Sequence, residues 1–208
     1  MLAAQARRGG SIVLTGGSTP GKAYEQAAAL QPDWSGVELW WGDERCVPPE
    51  DERSNYRLAR RTLLDRLDAA PRVEHRIEGE LGPDEGARRL DEELAGAAFD
   101  LLLLGLGPDG HVASLFPGSP QLEVRDRRAA GGPAGLEPYV DRITFTLPTL
   151  QAARRIVFLV AGEQKAYAVA RAFGGEIDEH VPASLVRAAA APVEVFLDRA
   201  ASGRLGIR

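Results

Sequence analysis

The chain has little sulfur and little histidine. Of 208 residues one is cysteine, Cys46, so no internal disulfide framework exists. That usage fits a reducing compartment, and the expected location is cytoplasmic. The three histidines include no pair at i, i+4 with a nearby carboxylate, the spacing a zinc site would need. No required metal is therefore expected. No apolar run approaches the length of a membrane span, and Met1 to Gly10 has no signal-peptide core. Cationic excess is also missing: 25 Lys and Arg against 30 Asp and Glu leave a net charge of −5. That balance argues against nonspecific binding to nucleic acid or to an anionic membrane, though not against a local basic pocket. The remaining composition, 44% hydrophobic and 26% charged, is that of an ordinary globular protein. At this length one domain over residues 1–208 is the simplest expectation.

Apolar runs predict strands at Ser11–Leu14, Val37–Trp41, Val73–Ile77, Leu101–Leu104, Arg142–Leu147, Ile156–Ala161 and Val193–Leu197. Helical patterns lie between many of them, at Pro20–Leu30, Ser54–Leu67, Asp84–Ala97 and Glu163–Phe173. Such alternation predicts βαβ units and a largely parallel sheet. Thr19-Pro20 and Ser54 read as helix starts. The arginines of the second helix (Arg57, Arg60, Arg61, Arg66) read as a solvated face. The stretch Arg125–Pro138 reads as a long surface loop.

The most telling segment is Leu101 to Pro117, LLLLGLGPDGHVASLFP. A short apolar run bounded by glycine is what a central parallel strand looks like when both faces are covered. Chemistry in open α/β sheets sits just beyond the carboxyl ends of such strands, which is where His111 stands. Gly105 to Gly110 also satisfies G-x-G-x-x-G. A dinucleotide site needs a helix to open at once, and Pro108 and Phe116-Pro117-Gly118-Ser119-Pro120 read as loop instead.

Four more features stand at strand termini. Leu14-Thr15-Gly16-Gly17-Ser18-Thr19-Pro20 is a glycine turn feeding a helix start, which suits a phosphate or is simply a tight turn. Asp43-Glu44-Arg45 follows an apolar strand and, taken alone, reads as a solvated loop. Arg142 opens a strand, and Lys165 sits in the first turn of a helix, where it opposes the helix dipole. Together a helix start, an arginine, a lysine and a histidine suggest convergence on a phosphorylated small molecule.

In order along nearly the whole chain, LTGGSTP (14–20), WGDERCVPPEDERSNYRLA (41–59), GLGPDGHVASLFPGSP (105–120), RITFTLPTL (142–150), AGEQKA (161–166) and PAS (182–184) resemble the 6-phosphogluconolactonase family. The resemblance implies an α/β/α sandwich with a mainly parallel sheet, a modified Rossmann fold shared with sugar-phosphate isomerases and deaminases. It implies cofactor-free hydrolysis of 6-phospho-D-glucono-1,5-lactone to 6-phosphogluconate. His111 would be the base that activates water. Asp43 and Arg45 match catalytic positions, with Arg45 offsetting oxyanion charge and Asp43 holding Arg45 or the sugar. Gly17, Ser18, Thr19, Arg142 and Lys165 would hold the phosphate. Asp109 would shape the loop or contact sugar hydroxyls, and Asn55 is a further hydroxyl contact.

Two rival functions remain on this reading. A hexosamine-phosphate deaminase or isomerase on the same fold typically runs from its DGH triplet toward Asn-Glu-Pro, whereas here the loop is Val-Ala-Ser-Leu-Phe-Pro, without a second carboxylate. A noncatalytic sugar-phosphate sensor would usually carry a DNA-binding module, for which the length leaves no room. The expected partner is the small-molecule lactone alone, with no nucleic acid and no membrane, on a monomer or weak homodimer. Family members usually carry a further strand and a full helix before the LTGGSTP turn. An exposed sheet edge is accordingly expected here.

Overall fold

The computed structural model describes residues 1–206. A short helix, α1 (Leu2–Arg8), leads into β1 (Gly10–Leu14), and α2 (Ser18–Leu30) returns the chain to β2 (Val37–Trp41). Then come β3 (Asp43–Arg45), α3 (Asn55–Thr62), β4 (Val73–His75), α4 (Gly82–Glu93) and β5 (Leu101–Leu104). The second half holds β6 (Ala129–Gly132), β7 (Arg142–Phe145), α5 (Leu147–Gln151), β8 (Ile156–Val160), α6 (Ala166–Phe173), α7 (Pro182–Val186) and β9 (Val193–Leu197).

Among the described residues the main sheet has six strands in the order β4-β2-β1-β5-β8-β9, all parallel. The four leucines of β5 are wholly buried, as a strand covered on both faces must be. The chain winds outward from β1 through β2 to β4, and in the opposite direction from β5 through β8 to β9. With right-handed crossovers, connections running in opposite directions along the sheet lie on opposite faces. The α2 and α3 connections therefore cover one side, and the α5 to α7 connections the other. This is the expected α/β/α arrangement. The junction of β1 and β5 is its topological switch point, where the carboxyl ends of two central strands leave a crevice.

A second sheet departs from expectation. Gly42 ends β2, and the charged run after it pairs as β3 with β7, which pairs in turn with β6, all antiparallel. Asp43-Glu44-Arg45 is thus a strand with Asp43 and Glu44 buried, not a solvated loop. The carboxylates of Asp43 and Glu44 are hydrogen-bonded internally, which removes their reason to seek water. Strand β6 likewise lies inside the segment read as loop. It packs against α4 so closely that a β-carbon at Gly131 would strike the Pro83 carbonyl.

Helix starts follow local chemistry, with one shift. Ser54 caps α3, accepting from the Arg57 N–H at 3.1 Å. Helix α2 begins earlier than expected, with Gly17 as its N-cap. Pro20 falls in the first turn, where a missing N–H costs no helical bond. The histidines outside the DGH segment play bland parts. His75 stacks on Trp40 at 3.6 Å between ring centroids and bonds Glu93 at 2.6 Å, and His180 is exposed. The outermost strands are β4 and β9, and Phe196 on β9 is exposed.

Candidate active site

A cavity of about 300 Å³ opens at the switch point. Its wall takes Thr15 to Pro20 from the β1–α2 turn and Gly105 to Pro108 with His111 from the loop after β5. Asp43 and Arg45 of β3, Arg142 of β7, Asn55 of α3 and Lys165 complete its polar face. Nearly every residue singled out from the sequence is brought together here. Asp109 is the exception: it does not line the wall.

Asp109 stands behind His111. The His111 Nδ1 lies 2.6 Å from Asp109 Oδ1, which also accepts the His111 backbone N–H at 3.1 Å. Burial works to raise the Asp109 carboxyl, but hydrogen bonding and charge from His111 outweigh it and hold the group below its ordinary value. With Nδ1 donating to this carboxylate, Nε2 is the nitrogen left for a reactant. The loop is pulled tight beneath the ring: Gly107 N–H donates to the His111 carbonyl at 2.9 Å, and a β-carbon at Gly107 would collide with the imidazole. Glycine is required there for close approach. Phe116 covers one side of the ring, 4.6 Å between centroids.

Arg45, Arg142 and Lys165 gather on this wall with no ion pair among the described residues. Arg45 and Arg142 sit directly opposite each other in the β3–β7 ladder, a pairing that like charges disfavour. Arg142 is only 4% exposed, and its Nη2 donates to the Pro138 carbonyl at 2.9 Å. Its Nε and Nη1, and the Nε of Arg45, are buried without a hydrogen-bond partner among the described residues. Burial first, and Arg45 second, hold the Arg142 guanidinium below its usual value. Burial likewise lowers the Lys165 ammonium, with Asp109 pulling the other way. The N-terminus of α2 adds to this field, since its first turn has no acidic residue and no side-chain cap. Buried donors left open on one cavity wall are what an anionic ligand would satisfy.

Asp43 is held rather than free. Its Oδ2 accepts from Ser114 Oγ at 2.7 Å and its Oδ1 from Asn55 Nδ2 at 3.2 Å. The same Asn55 nitrogen donates to the Asp43 carbonyl at 2.9 Å. No ion pair joins Asp43 to Arg45 among the described residues, and Arg45 instead donates to the Arg53 carbonyl. Asn55 is packed so tightly against the β1–α2 turn that a β-carbon at Gly16 would overlap it.

Three residues escaped sequence reasoning. Ser114, three positions after His111, ties the histidine loop to Asp43. Glu44 is buried between Asp43 and Arg45. Glu137, from the supposed loop, lines the cavity rim. Only Ser114 had a readable signal, in its fixed distance from His111. Cys46 lies apart from the wall, with burial pushing its thiol up to about 12, so it is no nucleophile. Among the described residues no group of three or more His, Cys, Asp or Glu is placed to hold a metal ion.

Comparison with known proteins bears on the family and the fold. The family model described as glucosamine-6-phosphate isomerases/6-phosphogluconolactonase matches residues 1–195. A 6-phosphogluconolactonase of Streptomyces coelicolor is 40% identical over 97% of this chain and 85% of its own length. The solved 6-phosphogluconolactonase of Trypanosoma brucei is 26% identical, with a TM-score of 0.84 over 98% of this chain and 89% of its own. A monomeric glucosamine-6-phosphate deaminase superposes with a TM-score of 0.82 at 22% identity, over 98% of this chain and 95% of its own, and shares the fold.

Proposed function

The chain belongs to the glucosamine-6-phosphate isomerase/6-phosphogluconolactonase family, and from that premise we propose that it hydrolyses 6-phospho-D-glucono-1,5-lactone to 6-phosphogluconate. The observation that carries the reading is one crevice holding two things at once. One is an anion site made of open cations and a helix N-terminus. The other is a histidine whose Nδ1 is held by Asp109 at 2.6 Å.

In this reading the 6-phosphate sits at the start of α2, near Gly17, Ser18 and Thr19, and draws on Arg142 and Lys165. Desolvation of both cations is repaid when the phosphate arrives. His111 Nε2 takes a proton from water as the oxygen attacks C1, and Asp109 steadies the imidazolium that forms. Negative charge then develops on the former carbonyl oxygen, and Arg45 offsets it. Cleavage of the C1–O5 bond opens the ring, and the proton on His111 passes to O5. Asp43, fixed by Ser114 and Asn55, keeps a carboxylate against the sugar. No step calls for a cofactor.

The reaction involves neither nucleic acid nor membrane, and no described helix is long and apolar enough to cross a bilayer. A cytoplasmic location belongs to the same proposal and rests on the cysteine usage of the sequence. The test is rapid lactone hydrolysis scored against an enzyme-free blank, because such lactones also open spontaneously. A rate at the blank would refute the assignment. Ammonia released from a hexosamine phosphate would transfer the chain to the deaminase branch, and binding without turnover would make it a sensor.

A further inference from the structure

Glu44 lies between two residues of the proposed site yet does not line the cavity. It is 3% exposed, and its carboxylate meets four donors. Oε1 accepts the backbone N–H groups of Arg45 at 2.8 Å and Asn55 at 2.7 Å. Oε2 accepts the backbone N–H of Tyr56 at 2.8 Å and the hydroxyl of Ser54 at 2.9 Å. Asn55 and Tyr56 are the first two residues of α3, whose amides have no partner within the helix. Ser54 takes the third amide, that of Arg57.

A buried carboxylate used as a helix cap carries a desolvation cost that a serine or aspartate at the N-cap would avoid, and Ser54 already occupies that position. What the glutamate adds is reach. It belongs to β3, so capping α3 with it fastens the helix to the strand that carries Asp43 and Arg45. Asn55 then closes the join from the other side through its two bonds to Asp43. We propose that Glu44 is a positioning residue, clamping the start of α3 onto β3 so that Asn55 holds the Asp43 carboxylate in its working orientation. This rests on the lactonase reading above.

Replacing Glu44 with Gln keeps the shape but turns one acceptor into a donor facing backbone N–H groups. At least one of the four bonds is lost, because the Ser54 hydroxyl can reverse its direction but a backbone N–H cannot, and the amide of Asn55 or Tyr56 is left buried and open. A displacement of about 1 Å at a reacting group is worth on the order of 100-fold in rate. The experiment measures kcat and KM on the phosphorylated lactone for the unaltered protein, Glu44→Gln, Asn55→Ala, Lys165→Ala and the double variants. Folding is checked by circular dichroism. The expected result is a ~10–100-fold lower kcat for Glu44→Gln with KM changed less than about threefold. Combined with Asn55→Ala, the loss should not exceed that of the worse single variant. Combined with Lys165→Ala, the losses should multiply. A residue that merely stabilised the fold would show multiplied losses in both pairs.

If Glu44→Gln does not fold, Glu44→Asp runs through the same pairs. Its carboxylate keeps the charge but is one methylene too short to span both sets of donors. Multiplied losses with Asn55→Ala, a change confined to KM, or failure of both variants to fold would overturn the proposal. Normal turnover by Glu44→Gln would overturn it while leaving the lactonase reading intact. An unaltered protein no faster than the blank would instead overturn that reading, and this inference with it.

Discussion

Replacing Arg142 with methionine should move stability and activity in opposite directions. Arg142 is 4% exposed, lies opposite Arg45 across the ladder and has Nε and Nη1 without partners among the described residues. Each buried unsatisfied donor costs about 1–3 kcal/mol, and the lost bond to the Pro138 carbonyl is worth about 1.5–3 kcal/mol as a charged one. Removing like charges set directly opposite adds a little more, and methionine is flexible enough to fill the space. The balance is a gain of about 1–3 kcal/mol, or roughly 2–10 °C in Tm for a domain of this size. The phosphate, in contrast, loses one or two charge-assisted bonds. That is about 3–4 kcal/mol and ~100–1000-fold in kcat/KM on the phosphorylated lactone. Unphosphorylated gluconolactone never meets this side chain, so its loss should stay within about threefold. Differential scanning fluorimetry with and without inorganic phosphate, alongside kinetics on both lactones, reads every term. Phosphate at about 100 times its Kd should stabilise the unaltered protein by about 2.7 kcal/mol and the variant far less. A variant that melts lower, keeps the phosphate shift, or loses equally on both substrates would refute the reasoning.

His111→Asn should fold normally and lose at least ~100-fold in kcat, the usual share of a general base; near-normal turnover would remove it from the mechanism. Asp109→Asn should lower kcat by about 10–100-fold, because an amide no longer fixes the ring tautomer or steadies the imidazolium, and KM should stay nearly constant. The depressed carboxyl of Asp109 also predicts a sign for stability. Its contribution is fully present above about pH 4, the unfolded carboxyl value, and fades as pH falls through the lower folded one. Acid unfolding of Asp109→Asn should therefore begin from a lower neutral-pH stability and depend less steeply on pH below 4, and an unchanged slope would count against the pair. Lys165, held low by burial, should lose its charge at lower pH than an exposed lysine. The KM for the phosphorylated lactone should accordingly rise at alkaline pH before that of Lys165→Arg does; coincident profiles would place Lys165 outside the phosphate site. Chelators should leave kcat unchanged, and loss reversed by zinc or magnesium would overturn the metal-free mechanism.

Local sequence determined what local chemistry controls. Val37–Trp41, Leu101–Leu104 and Val193–Leu197 form strands at the expected bounds because each is a short apolar run stopped by polar or turn residues. Ser54 caps its helix because a serine oxygen just before a helical run can accept an amide that has no partner within the helix. His111 was legible because it follows a buried strand across glycines that only a sharp turn would need, and a run of motifs in register pointed to the family. The charged strand β3 and the small strand β6 were not legible. Three charged residues and an Ala-Ala-Gly-Gly run have no hydrophobic period to read; β3 exists because β7 pairs with it from far along the chain, and β6 because β7 pairs with it across the connecting loop. Tertiary structure alone set Arg45 opposite Arg142 and brought Ser114 to Asp43 across 71 residues. It also made Asp109, read from sequence as shaping the loop or contacting sugar hydroxyls, the hydrogen-bond partner of His111. Glu44 shows the division most clearly. On paper it is one charge in a run of three, and only packing against the start of α3 supplies three of the four donors its buried carboxylate accepts. Sequence spacing fixes direction over a few residues, whereas the position of a charge relative to distant donors is decided by which strands pair.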